Sequence, residues 1–183
     1  MILQELKCIR RYMMKKINRK VLVSAVSGGL LLALYLLIFS FSAQGGEESG
    51  ALSRMISEKC VEILNSLTGR NWSDAVMESL AEYFEHPIRK CAHFAEYACM
   101  GILVYTLWIQ WVLKAKALYC LAVSWVFLSA AADEFHQLFV PGRYGCFADV
   151  LLDTAGGVFG IFCCVTCVKW YRKRIRESNP VQM

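Results

Sequence analysis

The sequence has 183 residues, of which 57% are hydrophobic and 19% are charged, and its formal net charge at pH 7 is +5. This composition is too apolar for an ordinary soluble domain of this length and predicts a membrane protein. The cations stand in clusters beside apolar segments, which is typical of membrane topology signals and contact with anionic lipids. This distribution of cations argues against a nucleic-acid-binding protein.

Four apolar segments without Asp, Glu, Lys or Arg divide the chain. They predict an all-α, polytopic fold with one domain over 1–183. This domain is expected to be a bundle of four transmembrane helices at about 21–41, 91–113, 117–139 and 146–168. Since a helix needs about 20 residues to cross the hydrocarbon layer, the last three spans must extend into flanks that carry ionisable groups. All three polar extensions fall on the same side of the membrane, where we expect function to reside.

Clusters of Lys and Arg set the predicted orientation. They comprise Lys7, Arg10, Arg11, Lys15, Lys16, Arg19 and Lys20 before the first span, Lys114 and Lys116 after the second, and Lys169, Arg172, Lys173, Arg174 and Arg176 after the fourth. By the positive-inside rule, we predict a multi-pass protein of the cell membrane with both termini cytoplasmic. The first span could instead be a signal peptide cleaved near Ser42, but its apolar run is longer than the usual core of about 7–15 residues.

The stretch between the first two spans is too long for a simple connector, and it predicts extracytoplasmic amphipathic helices over about 50–86. Two apolar stripes recur there at helical spacing, Leu52, Ile56, Cys60, Ile63 and Leu67 in the first and Trp72, Val76, Leu80, Tyr83 and Phe84 in the second. We expect Asn71 to cap the second helix and His86-Pro87 to end it. The stripes could lie in the lipid interface or cap the bundle.

The second predicted span begins with a polar face. Arg89, His93, Glu96 and Tyr97 follow one another at i, i+4, i+7 and i+8, with Lys90 beside the first of them. This spacing places the four side chains on one side of a helix. A carboxylate inside the membrane is costly and normally marks a functional or structural pairing, so Glu96 is expected to have a partner.

Further polar groups end the third span and begin the fourth. The third carries Asp133, Glu134, His136 and Gln137 and leads through the Pro141-Gly142 turn to Arg143, and the fourth carries Asp149, Asp153, Gly156, Gly157 and Gly160. The glycines predict a close helix contact and could support a homodimer. We expect one outer-leaflet cavity that contains His93, Glu96, Glu134, Gln137, Arg143 and Asp149, with Asp153 one turn deeper.

The predicted cluster has more carboxylates than cations. Five carboxylates (Glu96, Asp133, Glu134, Asp149 and Asp153) face three permanent cations (Arg89, Lys90 and Arg143), together with the histidines His93 and His136. Unpaired buried charge is strongly unfavourable, so some carboxylates are protonated, some face water, or a cation such as a divalent metal ion binds. Alternatively, the groups could be interhelical ion pairs that fix the register of the bundle.

At these residues the chain resembles the VanZ-like family of integral membrane proteins. The resemblance rests on four pieces: F-S-x-Q at 41–44, R-K-x-A-H-F-x-E-Y at 89–97, D-E-x-x-Q-x-F-x-P-G-R at 133–143 and D-x-x-x-D-x-x-G at 149–156. It implies a cell-envelope protein associated with low-level resistance to teicoplanin, a lipoglycopeptide that acts outside the membrane on cell-wall precursors.

The leading hypothesis is that the outer cavity binds a lipid-linked or amphiphilic anionic ligand. Arginine guanidinium groups suit phosphate and carboxylate geometry, so the cations are expected to hold the anionic group. The expected partners are membrane lipids, a lipid-linked cell-wall precursor or the lipoglycopeptide itself. The predicted ligand-binding residues are Ser42, Gln44, Arg89, Lys90, Tyr97, His136, Gln137, Arg143 and Asp153.

The alternative is an intramembrane, metal-assisted hydrolase or transferase that acts on a lipid or a cell-wall precursor. Its predicted catalytic residues are His93, Glu96, Asp133, Glu134 and Asp149, and His136 is a further potential metal ligand. A bound metal ion would supply hydroxide near neutral pH, although no recognised zinc motif such as H-E-x-x-H is present. A transporter or a small regulatory subunit is a third reading, which the short spans and the apolar cytoplasmic halves disfavour.

Overall fold

The computed structural model describes residues 2–178, with the side chains of 2–13, 16, 46–49, 176 and 178 left out of the description. The described residues form five helices and no strands: α1 (Ile2–Ser42), α2 (Gly46–Thr68), α3 (Asp74–Trp108), α4 (Ala115–Gln137) and α5 (Phe147–Ser178). The all-α prediction is therefore confirmed. The side chains of Lys7, Arg10, Arg11, Lys16 and Arg176, used for the predicted orientation, lie outside the described ones.

Membrane-spanning character is carried by three helices. Over residues 2–178, the segments long and apolar enough to cross a membrane are Ile17–Ser42, Ala115–Gln137 and Phe147–Ile175. The apolar run of α3 is interrupted near its start by His93 and Glu96, and this helix is not among them. The second span, the total of four and the orientation of the termini therefore stay predictions.

The third helix is longer than the sequence indicated. α3 continues through Pro87 without interruption and ends at Trp108, so the predicted helix end at His86-Pro87 is wrong. Proline inside a helix removes one hydrogen bond and costs about 3 kcal/mol. Packing of α3 against α1, α2 and α5 along its length offsets this cost.

The connection before α3 also differs from the prediction. α3 begins at Asp74 after Ser73, whereas Asn71 has a left-handed φ of 48° and does not cap the helix. Asparagine tolerates this conformation better than most residues. The loop is fixed from α2, because Asn65 Oδ1 accepts a hydrogen bond from the Trp72 backbone N–H at 3.0 Å.

The amphipathic helix α2 packs on α3 through a small, partly polar face. Ser53, Ser57 and Val61 are buried, and the Ser57 hydroxyl donates to the Ala81 carbonyl of α3. The predicted apolar stripe lies on the outer side instead, with Leu67 80% exposed. The start of the stripe nevertheless lines a cavity next to α1 and α3, so both alternatives left by the sequence, the lipid interface and a cap on the bundle, stay predictions.

The closest helix contact joins α3 to α5. A Cβ added to Gly160 would lie 1.9 Å from the Ala98 carbonyl oxygen, and one added to Gly156 would lie 2.4 Å from the Phe94 carbonyl oxygen. Only glycine lets two backbones come this near. The predicted close contact is thus made within the chain, so these two glycines are not available for the homodimer contact suggested by the sequence.

The apolar core lies between the same helices. α3 contributes Tyr97, Met100, Val104 and Tyr105, which pack against Leu118, Ala122, Val126 and Ala130 of α4 and against apolar residues of α1 and α5. Immediately beyond this core, toward the start of α5, the packed residues become polar.

Candidate functional site

The predicted polar helix ends meet around one cavity. The close contact of α3 with α5 continues to an ion pair between Lys90 and Asp149, and the turn from α4 to α5 closes the space beside them. This leaves a volume of about 240 Å³, which we call the α3–α5 cavity. Its wall consists of His86, Arg89, Lys90, His93, Glu134, Gln137, Gly142, Arg143, Tyr144, Asp149, Leu152 and Asp153.

Arg143 joins the α4–α5 turn to the end of α1. Its Nε donates a hydrogen bond to the Gln44 carbonyl at 3.1 Å, and its Nη2 donates to the Phe41 carbonyl at 2.9 Å. The last carbonyls of a helix lack partners within it, and a cation there is favoured by the helix dipole. Arg143 therefore stabilises the fold in addition to lining the cavity.

Two other cations of the cavity are paired with carboxylates. Lys90 donates to Asp149, and this hydrogen bond raises the pKa of Lys90. Arg89 donates from Nη2 to Glu85 at 3.1 Å, one turn earlier in α3. Its Nε is buried and has no hydrogen-bond partner among the described residues. Arg89 thus keeps a donor that a ligand could use.

Three ligand-type groups converge at the inner side of the cavity, where His93 and Asp153 line the wall and Asp133 lies beside them outside it. His93, Asp133 and Asp153, from α3, α4 and α5 respectively, each place one nitrogen or oxygen atom within 4.8 Å of the others. Asp153 is the most buried of them, with 1% of its surface exposed. The arrangement can hold a cation or exchange protons, and it agrees with the expectation that Asp153 lies deeper than Asp149.

Buried polar residues of α4 support this arrangement. Gln137 Nε2 donates to Asp133 Oδ2 at 3.3 Å, which helps to fix that carboxylate. Glu134 Oε2 accepts a hydrogen bond from the Cys146 backbone N–H at 2.8 Å, immediately before α5. The first N–H groups of a helix need such acceptors. Glu134, predicted as catalytic, therefore has a structural contact at the start of α5.

Glu96 faces a separate, smaller cavity of about 80 Å³, which we call the α1–α2 cavity. Its wall also includes Phe41, Gln44, Leu52, Ser53, Ile56, Ile88, Ala92 and the shared residues Arg89, His93 and Arg143. The expectation that Glu96 lines the same cavity as Asp149 is therefore wrong. The two cavities meet at His93, whose Nδ1 lies 3.6 Å from Glu96 Oε2.

Comparison with known proteins identifies the family. The sequence matches the family model described as VanZ/LLP1 over residues 28–168, which is most of the chain. The chain belongs to the VanZ/LLP1 family. No curated protein and no solved structure matches it significantly. The predicted resemblance is thus confirmed, and with the membrane-length helices it establishes a VanZ-like membrane protein.

All four sequence pieces that carry the VanZ resemblance meet in the structure. The piece at 41–44 supplies the carbonyls that Arg143, from the piece at 133–143, binds. Lys90, from the piece at 89–97, pairs with Asp149 of the last piece. The pieces are therefore kept together by mutual contacts, and the fold of this chain gathers them around the cavities.

Three of the predicted ligand-binding residues lie apart from both cavities. Tyr97 is buried in the apolar core, and Ser42 is fully buried at the end of α1. His136 stacks on Phe39 of α1, with ring centroids 5.0 Å apart. These side chains point from the polar helix ends toward neighbouring helices, which helical spacing alone does not reveal. Gln44 does line the α1–α2 cavity.

Several residues in the wall of the α3–α5 cavity of this VanZ-like protein were not predicted from the sequence. His86 was interpreted only as part of a helix end, yet it lines the α3–α5 cavity. Its spacing of three and seven residues from Arg89 and His93 on a continuous helix would have indicated the shared face. Leu152 likewise lies three residues after Asp149 on α5, whereas Tyr144 carries no comparable signal, because its position depends on the path of the α4–α5 turn.

Proposed function

We propose that this protein binds an amphiphilic ligand with an anionic headgroup in the α3–α5 cavity. The observation that carries the proposal is Arg89, which lines both cavities and whose buried Nε has no hydrogen-bond partner among the described residues. Phosphate and carboxylate oxygens are the acceptors that a guanidinium binds best. His86, Lys90 and Arg143 add donors around the same space.

The surroundings of the cavity suit a ligand with apolar chains. Tyr144 lines the cavity while remaining 88% exposed, and Phe139 and Phe147, which flank the α4–α5 turn, are also largely exposed. Exposed aromatic groups at the ends of membrane helices are typical of the lipid interface. The exposed apolar stripe of α2 supports an interfacial position for that helix as well. An acyl chain beside the turn would place its headgroup at the cavity.

The sharpest test compares Arg89→Gln with Arg54→Gln in full-length protein reconstituted in lipid nanodiscs. Arg54 pairs with Glu58 and Glu78 on the exposed surface of α2 and α3, so it controls for the loss of one arginine. The probe is a short-chain phosphatidic acid, with binding measured by calorimetry. A charged hydrogen bond contributes about 1.5–3 kcal/mol, so Arg89→Gln should weaken binding by about tenfold or more.

The outcome can also contradict the proposal. Equal affinity of the Arg89→Gln and wild-type proteins, or no binding by the wild type, would remove the headgroup hypothesis. The same variants, expressed in a teicoplanin-sensitive bacterium, test the resistance association implied by the family resemblance. Wild type and Arg54→Gln are expected to raise the inhibitory concentration slightly, whereas Arg89→Gln is expected to leave it unchanged.

A second candidate is an enzyme that cleaves or transfers such a headgroup. It is favoured by the mutual proximity of His93, Asp133 and Asp153, two of which line the same cavity, because imidazole and carboxylate groups are the usual acids, bases and metal ligands of hydrolytic sites. Mass spectrometry of the probe recovered after incubation distinguishes the candidates. Intact phosphatidic acid supports binding alone, whereas released phosphate or a new ester supports the enzyme.

A further inference from the structure

We propose that His93, Asp133 and Asp153 bind one divalent transition-metal ion at the inner side of the α3–α5 cavity. This proposal goes beyond headgroup binding and does not depend on it, because it concerns the resting protein. Four features of the described residues carry it: ligand distances, the burial of Asp153, the pairing of nearby cations, and the groups that orient the ligands.

The distances match a site that closes on an ion by small side-chain rotations. One ligand-type atom from each residue lies within 4.8 Å of the other two. Nitrogen and oxygen ligands lie about 2.0–2.2 Å from zinc, so ligand atoms in a tetrahedral site are about 3.4 Å apart, and each side chain would have to move inward. Three different helices contribute the ligands, so the packing of the bundle sets their separation.

Asp153 supplies the second, independent observation. It is 1% exposed, and its Oδ1 has no hydrogen-bond partner within the described part of the chain. An ionised carboxylate in such a position is strongly disfavoured unless a cation or several donors compensate its charge. An apolar residue would fill the same space without that cost.

The permanent cations nearby are bound elsewhere. Lys90 pairs with Asp149 and Arg89 with Glu85, while Arg143 donates to the carbonyls at the end of α1. Among the described residues, Asp133 and Asp153 are therefore left without a Lys or Arg partner within ion-pair distance. A bound divalent ion would neutralise both carboxylates together.

One neighbouring group orients a proposed ligand by a hydrogen bond, and a second lies close to another ligand. Gln137 donates to Asp133 Oδ2, which leaves the other oxygen of that carboxylate for an ion. Glu96 Oε2 lies 3.6 Å from His93 Nδ1, beyond hydrogen-bond distance, and a small rotation would let it accept from this nitrogen while the second ring nitrogen binds an ion. A mixed imidazole and carboxylate set favours manganese or zinc over magnesium or calcium.

The test uses full-length protein in nanodiscs, stripped with EDTA, and Mn²⁺ as the probe. Manganese is preferred because the chain has nine cysteines, which would bind zinc adventitiously. Binding is followed by loss of the electron paramagnetic resonance signal of free Mn²⁺. The wild type is expected to bind one ion per chain, with Zn²⁺ displacing it and equimolar Mg²⁺ not doing so.

The decisive variants are Asp153→Asn and Asp133→Asn, with Glu82→Gln on the exposed face of α3 as the matched control. Each site variant should weaken Mn²⁺ binding by about tenfold or more, and Glu82→Gln should bind as the wild type does. Stripped Asp153→Asn should melt no lower than the stripped wild type, because it loses a buried charge without a partner. If Asp153→Asn does not fold, His93→Gln takes its place.

Absence of Mn²⁺ binding by the wild type, or unchanged affinity in both Asp variants, would overturn the proposal. Effective competition by equimolar Mg²⁺ would overturn His93 as a ligand. Arg89→Gln should bind Mn²⁺ normally, because Arg89 lies outside the metal group. Failure of the metal site is therefore distinguishable from failure of headgroup binding, which Arg89→Gln tests separately.

Discussion

At the scale of single residues, the polar groups around the cavities divide into those with a structural contact and those without one. Lys90 and Asp149 pair with each other, Glu134 accepts from the backbone before α5, and Arg143 binds the end of α1. Replacing any of these would disturb helix packing as well as the cavity. Asp153, whose Oδ1 has no hydrogen-bond partner among the described residues, and Glu96, which approaches only His93, report more directly on function.

Glu96 offers a prediction at this scale. Its side chain faces the α1–α2 cavity beside His93, where a carboxylate is costly and an amide of the same size is not. Glu96→Gln is therefore expected to keep or raise the melting temperature of the protein. Binding of Mn²⁺ should weaken by about tenfold, because groups that orient a metal-binding histidine contribute about 10–100-fold to affinity.

Two variants make the role of Glu96 specific. Glu82→Gln makes the same chemical change on the exposed face of α3 and should alter neither property. Glu96→Asp keeps the charge and should retain more affinity than Glu96→Gln. A loss of melting temperature in Glu96→Gln, or wild-type binding of both Mn²⁺ and phosphatidic acid, would instead show that Glu96 serves packing alone.

At the scale of elements, the contact between α3 and α5 sets the geometry of the site. The backbone of Phe94 contacts Gly156. Phe94 directly follows His93 in α3, and Gly156 lies about one turn after Asp153 in α5. The close backbone approach thus brings two of the three proposed metal ligands toward each other. The packing of α3 against α5 therefore also sets the geometry of the proposed metal site.

Gly160→Ala tests this contact. The added methyl group would lie 1.9 Å from the Ala98 carbonyl oxygen, which belongs to backbone and cannot rotate away. Overpacking of this kind costs about 1–3 kcal/mol, so the free energy of unfolding in detergent should fall by about that amount. Binding of Mn²⁺ should weaken as well, since separation of α3 from α5 moves His93 away from Asp153.

Gly28→Ala is the matched control, because an added Cβ there meets nothing within 4 Å. This substitution lies in α1, where alanine favours the helix by about 1 kcal/mol relative to glycine. It should leave the protein as stable as the wild type or slightly more stable. Equal stability of Gly160→Ala and Gly28→Ala would contradict the close approach of α3 and α5.

At the scale of the whole molecule, the topology determines whether the cavities are accessible from outside the cell. The polar helix ends and the α4–α5 turn meet around the cavities, whereas Lys116 lies at the opposite end of α4. We predict that the cavities face outward, on the basis of the positive-inside rule. The amphipathic helix α2 would then lie along the outer lipid interface with its exposed stripe toward the lipids.

Labelling of intact cells with a membrane-impermeant thiol reagent tests this topology. In a cysteine-free background, Tyr144→Cys is expected to react, because Tyr144 is 88% exposed on the α4–α5 turn. Lys116→Cys should react only after the membrane is permeabilised. The reverse pattern would place the cavities on the cytoplasmic side, and reaction of both in intact cells would contradict the predicted path of α4 across the membrane.

Several features of this protein follow from its sequence alone. The apolar runs, extended into their flanks, predict the membrane-length helices, because the hydrocarbon layer requires about 20 residues of helix. Helical spacing places Arg89, His93 and Glu96 on one side of α3, and the short Pro-Gly turn carries Arg143 to the same end of the bundle as Asp149. The order of these motifs along the chain was also enough to predict the family.

Other features were decided only by the tertiary structure. Spacing shows which side chains share a helix face, but it does not show which neighbour that face meets, because rotation and separation of helices depend on packing. The contact between α3 and α5 selects Asp153 to join His93 and Asp133, while Asp149 pairs with Lys90. The same packing carries α3 through Pro87, where local propensity predicted a helix end.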